Sequence, residues 1–73
     1  SDEDPDEWTD EITAKYANEI NYIQEQTAIY GQEVMDNFVK SNTDGVYNSF
    51  GEMGPREFIA AYQLVKTAIE QAG

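Results

Sequence analysis

The sequence predicts an all-α protein, and three observations lead to this fold class. Apolar residues recur at spacings of three and four over residues 5–40 and again over 55–72, which is the periodicity of an amphipathic helix. Each stretch opens with a proline, where the fixed φ suits the first helical position. The segment between them, 41–54, is rich in turn-forming residues. We therefore expect one small domain over residues 1–73, in which two antiparallel helices flank a packed loop.

The two predicted helix starts share a pattern, because the stretches DPDEW and GPREF lie fifty residues apart. In the first, Asp4 is the expected N-cap and Glu7 can reach back to the cap backbone, as in a capping box. In the second, Gly54 is the cap and Glu57 takes the equivalent place. No other part of the two segments matches, so the pattern predicts two helix starts and not a repeated unit.

The apolar stripe of the first helix changes in width along its length. Its first half is a narrow seam, which usually meets a single partner; the seam consists of Trp8, Ile12, Tyr16, Ile20 and Ile23. From Ala28 onward apolar residues cover nearly the whole circumference, which is typical of a helix enclosed by other elements. Gly31 is the one internal residue that favours a break.

The lengths of the two helices constrain how they pack. At 1.5 Å per residue the first helix would span roughly 54 Å and the second about 27 Å, so the second covers only half of the first. Trp8 to Ile20 would stay uncovered. Either the first helix breaks near Gly31 and folds back as a three-helix bundle, or a second copy covers the seam in an oligomeric, coiled-coil-like bundle. We favour the homo-oligomer.

Acidic residues concentrate at one end of the chain. The net charge is −11, and residues 1–11 hold seven acids and no base. We expect this surface to attract a basic protein and to repel nucleic acid and anionic membranes. The acidic surface that we predict consists of Asp2, Glu3, Asp4, Asp6, Glu7, Asp10, Glu11, Glu25 and Asp36.

Residue types argue against catalysis and cofactor binding. Histidine and cysteine are absent, which removes the usual bases, thiol nucleophiles and zinc ligands. The loop partly fits a calcium-binding EF-hand, but Lys40 takes the first ligand position and Gly51 the twelfth. We expect no enzyme activity, no cofactor and no metal. With no signal peptide and no apolar stretch long enough for a membrane span, we expect a cytoplasmic protein.

Two functions fit this sequence. The first is a non-catalytic interaction and assembly module that uses the seam as its contact surface and its acidic end to meet a basic partner. The alternative is an inhibitor that mimics nucleic acid and blocks a DNA- or RNA-binding protein; small, strongly acidic phage and mobile-element proteins are similar to this chain in composition. Mimicry needs carboxylates spaced like phosphates along one face, and the first helix supplies only a thin row. Helix capping and solvation also account for the acids near the start of the chain.

Overall fold

Four α-helices and one short 3₁₀ turn make up the fold over residues 6–73, which are the residues that the computed structural model describes. No strand occurs within this range, and the predicted all-α class is confirmed. The 3₁₀ turn precedes the last helix. The elements are α1 (Asp10–Lys15), α2 (Ala17–Tyr30), α3 (Gln32–Asn42), the 3₁₀ turn (Phe50–Glu52) and α4 (Pro55–Ala72).

The first helix begins later than its proline predicts. Asp4 and Pro5 lie outside the described residues, and Glu7, predicted at the third helical position, lies in a non-helical segment. Helix α1 begins at Asp10 because Thr9 is its N-cap: the Thr9 hydroxyl accepts a 3.1 Å hydrogen bond from the amide of Ile12. The prediction of a helix start at residue 5 is therefore wrong.

The predicted long helix is interrupted at Tyr16, which the sequence pattern did not indicate. Tyr16 has φ −103° and ψ 21° and separates α1 from α2. Its ring contacts the ring of Trp8 edge-on, with 6.4 Å between centroids. The break lets α1 lie close to Trp8 while α2 continues along the body of the protein.

A second interruption falls at Gly31, where the sequence favours a break. Gly31 has φ 98° and ψ 152°, a region open essentially to glycine alone. Its N–H donates to the carbonyl of Thr27 at 2.8 Å, and its carbonyl accepts from the amide of Met35 at 3.2 Å. One residue thus ends α2 and begins α3, and the chain folds back on itself. This fold-back covers part of the seam, so the lengths of the helices no longer require a second copy of the chain to cover it. The homo-oligomer stays a prediction.

The loop after α3 packs on the body, as predicted. Helix α3 ends in a Schellman motif in which the Gly45 N–H donates to the Lys40 carbonyl at 2.9 Å. Asp44 and Gly45 both have positive φ, 54° and 81°. Met53 is buried, and Tyr47 and Phe50 pack against the core.

Helix α4 has the predicted bounds, 55–72, with Gly54 as its N-cap and proline in its first turn. Its direction follows from its neighbours. Val34 shares a groove with Ala72, and Asn42 shares another with Glu57, so α4 is antiparallel to α3. The Tyr22 ring lies 5.5 Å from that of Tyr62, while Tyr30 lies near Ala72. Helices α2 and α4 are therefore parallel, and α2, α3 and α4 form an up-down-up bundle. The predicted antiparallel arrangement is correct for α3 and wrong for α2, because the chain reverses direction at Gly31 between them.

The core is a single cluster contributed by α2, α3, the loop and α4. No polar side chain is buried within residues 6–73, so apolar burial is the main source of stability for this body. The buried residues of this cluster are Ile23, Met35, Val39, Met53, Phe58, Ala61 and Val65.

Candidate functional site

Residues 6–9 form a non-helical segment, the N-terminal arm, that docks on the start of α4. The indole N–H of Trp8 donates to the carbonyl of Met53 at 2.8 Å. The Trp8 ring stands edge-on to the ring of Phe58, with 5.5 Å between centroids. Trp8 remains 36% exposed. We expected Trp8 inside the first helical turns and away from the core; instead it lies beside the core, because its hydrogen bond and ring contact hold the arm there.

The backbone of the arm passes very close to Gly54. A Cβ atom at Gly54 would lie 2.8 Å from the carbonyl oxygen of Asp6, so the close approach depends on glycine. Asp6 also forms an ion pair with Arg56 at 3.2 Å, but both side chains are more than half exposed. Such pairs contribute less than about 1 kcal/mol. Trp8 and the approach to Gly54 therefore position the arm more than the ion pair does.

An open groove of about 510 Å³ lies between α2, the 3₁₀ turn and the arm, and we name it the Trp8 groove. Its lining carries no charge. The uncharged polar side chains at its edge are those of Gln24, Thr27, Gln32 and Ser49. Its apolar walls come from Trp8, Ile20, Ile23, Phe50 and Phe58.

The structure brings part of the predicted interface seam into this groove. Trp8, Ile20 and Ile23 line it, whereas Ile12 and Tyr16 are half-buried and do not line it. Ile23 is only 5% exposed and belongs to the core. The five residues thus do not form one uncovered stripe, and their role in a contact with another chain stays a prediction.

The predicted acidic surface is divided among several elements. Asp2, Glu3 and Asp4 lie outside the described residues. Glu11 lies on α1, Glu25 on α2 and Asp36 on α3. These carboxylates therefore do not form the row along a single helix that the sequence analysis considered for nucleic-acid mimicry. Asp36 accepts a 2.8 Å hydrogen bond from the side chain of Gln32. The remaining predicted acids are all exposed, namely Asp6, Glu7, Asp10, Glu11 and Glu25.

A second, apolar groove of about 220 Å³ lies where the ends of α2 and α4 meet the start of α3, and we name it the neutral groove. Its lining includes Tyr30, Val34, Ala68 and Ala72, and no lining residue is charged. Ile29, the residue before Tyr30 in the sequence, is 68% exposed.

The sequence predicted that residues from Ala28 onward would be enclosed. That prediction is wrong for Ile29, Tyr30 and Val34, which are exposed. The reason is that α3 and α4 cover only one side of this region. This exposed surface could have been identified from the sequence, because apolar residues there cover more of the helix circumference than a single packed face requires.

The loop that resembles an EF-hand is occupied by its own hydrogen bonds. The Glu52 carboxylate accepts a 2.8 Å hydrogen bond from the amide of Asn48. Within residues 6–73, no three carboxylates gather into a group that could hold a metal ion.

None of the helices over the described part of the chain combines the length and apolar character needed to cross a membrane.

Comparison of the chain with protein-family models, with curated protein sequences and with solved structures finds no match.

Proposed function

We propose that this chain is a non-catalytic protein–protein interaction module that binds a basic partner at the Trp8 groove and associates with further copies of itself. The observation that carries the proposal is the combination, in one 73-residue chain, of an open apolar groove and a net charge of −11. Ile23 and Phe58 also belong to the core, but Trp8, Ile20 and Phe50 leave part of their apolar surface exposed at the groove.

The Trp8 groove suits an apolar side chain of a partner. Its volume of about 510 Å³ falls in the range of roughly 300–1,000 Å³ that is usual for ligand sites. Phe50 and Phe58 form apolar walls that stand edge-on to each other, 5.8 Å apart. Aromatic walls of this kind accept an anchoring residue at many protein interfaces. The amides of Gln24 and Gln32 can then bond the partner's backbone.

Electrostatics favour a partner with positive charge around that anchor. Exposed glutamates adjoin the lining residues in sequence: Glu7 precedes Trp8, Glu25 follows Gln24, and Glu52 follows Gly51 in the 3₁₀ turn. A negative field raises the rate of encounter with a basic partner and selects it over an acidic one.

The non-catalytic part of the proposal is supported by the environment of the polar groups. Acid–base catalysis requires titratable groups whose environments differ, usually with one of them buried. No polar side chain within residues 6–73 is buried, and the sequence contains neither histidine nor cysteine.

A fluorescence titration tests the proposal, because Trp8 is the single tryptophan and lines the groove. Two synthetic peptides would be compared, each with four lysines on either side of a central residue, leucine in one and serine in the other. Burying the leucine contributes about 1.5–3 kcal/mol, so we expect the leucine peptide to bind at least tenfold more tightly and to shift the Trp8 emission.

Charge variants test which acidic residues of this chain contact the basic residues of the partner. We expect Glu7→Gln with Glu25→Gln to weaken binding of both peptides. The control, Asp44→Asn with Glu70→Gln, removes the same charge away from the groove and should weaken binding less. Equal affinity for the leucine and serine peptides would contradict the groove and favour the charge-only contact that nucleic-acid mimicry requires. No binding by either peptide would contradict the basic partner altogether.

A further inference from the structure

We infer that the bend at Tyr16 is a conformational switch: docking of the N-terminal arm holds the bend, and release of the arm lets α1 and α2 join into one helix. Three features support the switch, namely the residues around the bend, its hydrogen bonds and its contact with Trp8. The switch is independent of the proposed function, but it bears on that function because Trp8 also lines the Trp8 groove.

The residues around the bend do not require one. Residues 13–19 contain neither glycine nor proline, the two residues that most disfavour a helix interior. The apolar spacing of three and four also runs through Tyr16, which is why the sequence predicts a single helix here. A helix of six residues such as α1 is too short to be stable alone. Helix α1 therefore depends either on the docked arm or on continuation into α2.

The hydrogen bonding at the bend is that of an interrupted helix. The Tyr16 N–H donates to the Ile12 carbonyl at 3.0 Å, and the Tyr16 carbonyl accepts from the amide of Ile20 at 2.9 Å. Helical bonds thus reach Tyr16 from both sides. No hydrogen bond joins the amides of residues 17–19 to the carbonyls of residues 13–15, all of which lie in the described range. A continuous helix would add these bonds, since each amide there pairs with the carbonyl four residues before it.

The contacts of Trp8 favour the bent form. The Trp8 ring stands edge-on to the rings of Tyr16 and Phe58, with 6.4 Å and 5.5 Å between centroids. Its N–H donates to the Met53 carbonyl at 2.8 Å. Straightening would change ψ of Tyr16 from 21° to about −42°, which swings α1 and the arm away from α4. The contacts of Trp8 and the missing helical bonds therefore belong to two alternative forms of the chain.

The switch couples the arm to the Trp8 groove. In the bent form Trp8 is one of the apolar walls of that groove, and in the straight form this wall is missing. A partner that binds the complete groove more tightly therefore shifts the chain toward the bent form. This consequence rests on the proposed function, whereas the switch itself is tested without any partner.

Amide hydrogen exchange of the full chain, followed by NMR, tests the switch in the parent and in two variants that release the arm, Trp8→Ser and Gly54→Ala. We expect both variants to slow exchange at the amides of residues 17–19 roughly tenfold, since each amide gains a helical hydrogen bond. The coupling between the amide and α protons of Tyr16 should fall toward its helical value, because φ moves from −103° to about −63°. Gly51→Ala is the control and should change neither readout, since its Cβ would lie 3.8 Å from its nearest neighbour.

Melting of α1 is the result that would overturn the inference. In that case the amides of residues 13–15 would exchange faster in both releasing variants, those of residues 17–19 would stay fast, and circular dichroism would show less helix. Unchanged exchange at residues 17–19 would overturn it as well.

A pair of variants at the bend provides a second test. Tyr16→Ala and Tyr16→Gly both remove the ring that contacts Trp8 and differ in helix propensity. We expect stronger quenching of Trp8 by acrylamide in Tyr16→Ala, which favours the straight helix, and equal quenching would contradict the switch. The peptide titration at the Trp8 groove is read separately, so failure of the switch and failure of the proposed partner are distinguishable.

Discussion

Trp8 and Phe58 meet edge-to-face with 5.5 Å between their ring centroids, and they hold equivalent places in DPDEW and GPREF. Asp6 and Arg56 are likewise equivalent, and they form an ion pair at 3.2 Å. The two similar stretches were predicted as separate helix starts. In the structure the second starts α4, and the described part of the first, residues 6–8, is non-helical and contacts the start of that helix. The two similar stretches are thus in contact with each other, at the start of α4.

We expect the energies of Trp8 and Phe58 to be coupled. Trp8→Leu and Phe58→Leu should each lower the free energy of unfolding, and the double variant should lose less than their sum by about 0.5–1.5 kcal/mol, the value of an aromatic pair beyond its burial. Urea unfolding followed by circular dichroism measures the cycle. The control cycle pairs Trp8→Leu with Tyr22→Leu, because Tyr22 contacts Tyr62 instead. Additive effects in the first cycle would mean that the rings share only an apolar environment.

Gly54→Ala should displace the arm without unfolding α4. The new Cβ would lie 2.8 Å from the Asp6 carbonyl oxygen, and backbone there can yield only by moving away. We expect a loss of about 1 kcal/mol, a red shift of Trp8 emission and greater quenching by acrylamide. Gly51→Ala is the control, since its Cβ would have only the Ser49 hydroxyl nearby, at 3.8 Å. Unchanged quenching in Gly54→Ala would show that the arm does not depend on this approach.

Gly31→Ala should destabilise the bundle through its backbone alone. At φ 98° the residue lies where side chains are strained, yet a Cβ atom there would contact nothing within 4 Å. We expect a cost of about 2 kcal/mol, measured as a lower urea midpoint with an unchanged slope. Gly51→Ala again serves as the comparison, because Gly51 does not have positive φ. If the two variants prove equally stable, the positive φ of residue 31 does not make alanine unfavourable at the corner between α2 and α3.

The end of α3 offers the opposite test, because Asp44 occupies a position that favours glycine. Its φ is 54°, and a left-handed conformation costs other residues about 1 kcal/mol or more. Asp44→Gly should raise the midpoint of thermal unfolding and Asp44→Ala should lower it. Both variants remove the same charge, so their difference isolates the backbone. The reverse order would contradict the Schellman assignment.

Local signals in the sequence were sufficient for α4, whereas they offered the corner at Gly31 only as one of two alternatives. In α4 the cap, the proline and the apolar spacing all agree, and glycine allows the backbone angles of the corner without any distant contact. The same signals failed at the start of the chain. There Asp4 was the expected cap, although threonine is also a cap residue, and Thr9 caps α1 beside a Trp8 that is held by Met53 forty-five residues away. Local chemistry cannot choose between two acceptable caps when a tertiary contact decides.

The candidate site was predictable only in part for the same reason. Trp8 and Ile20 stood out by their spacing, but the Trp8 groove also needs Phe50, which the loop brings back from beyond α3. The spacing of apolar residues along one helix does not show which residues of a later loop will pack against it. Likewise, the sequence showed that apolar residues around Tyr30 cover most of the helix circumference. Which of them stay exposed depends on how α4 packs against this part of the chain.

The single-residue connection at Gly31 also bears on the order in which the molecule assembles. Closing a connection this short costs little chain entropy, so α2 and α3 can pair early, as contacts close in sequence generally do. The arm is different, because its hydrogen bond and ion pair join residues 45 and 50 positions apart. We expect it to attach last in folding and to detach first in the native state, exposing its amides to hydrogen exchange while the bundle stays protected. Slower exchange of the arm would then report occupation of the groove beside it.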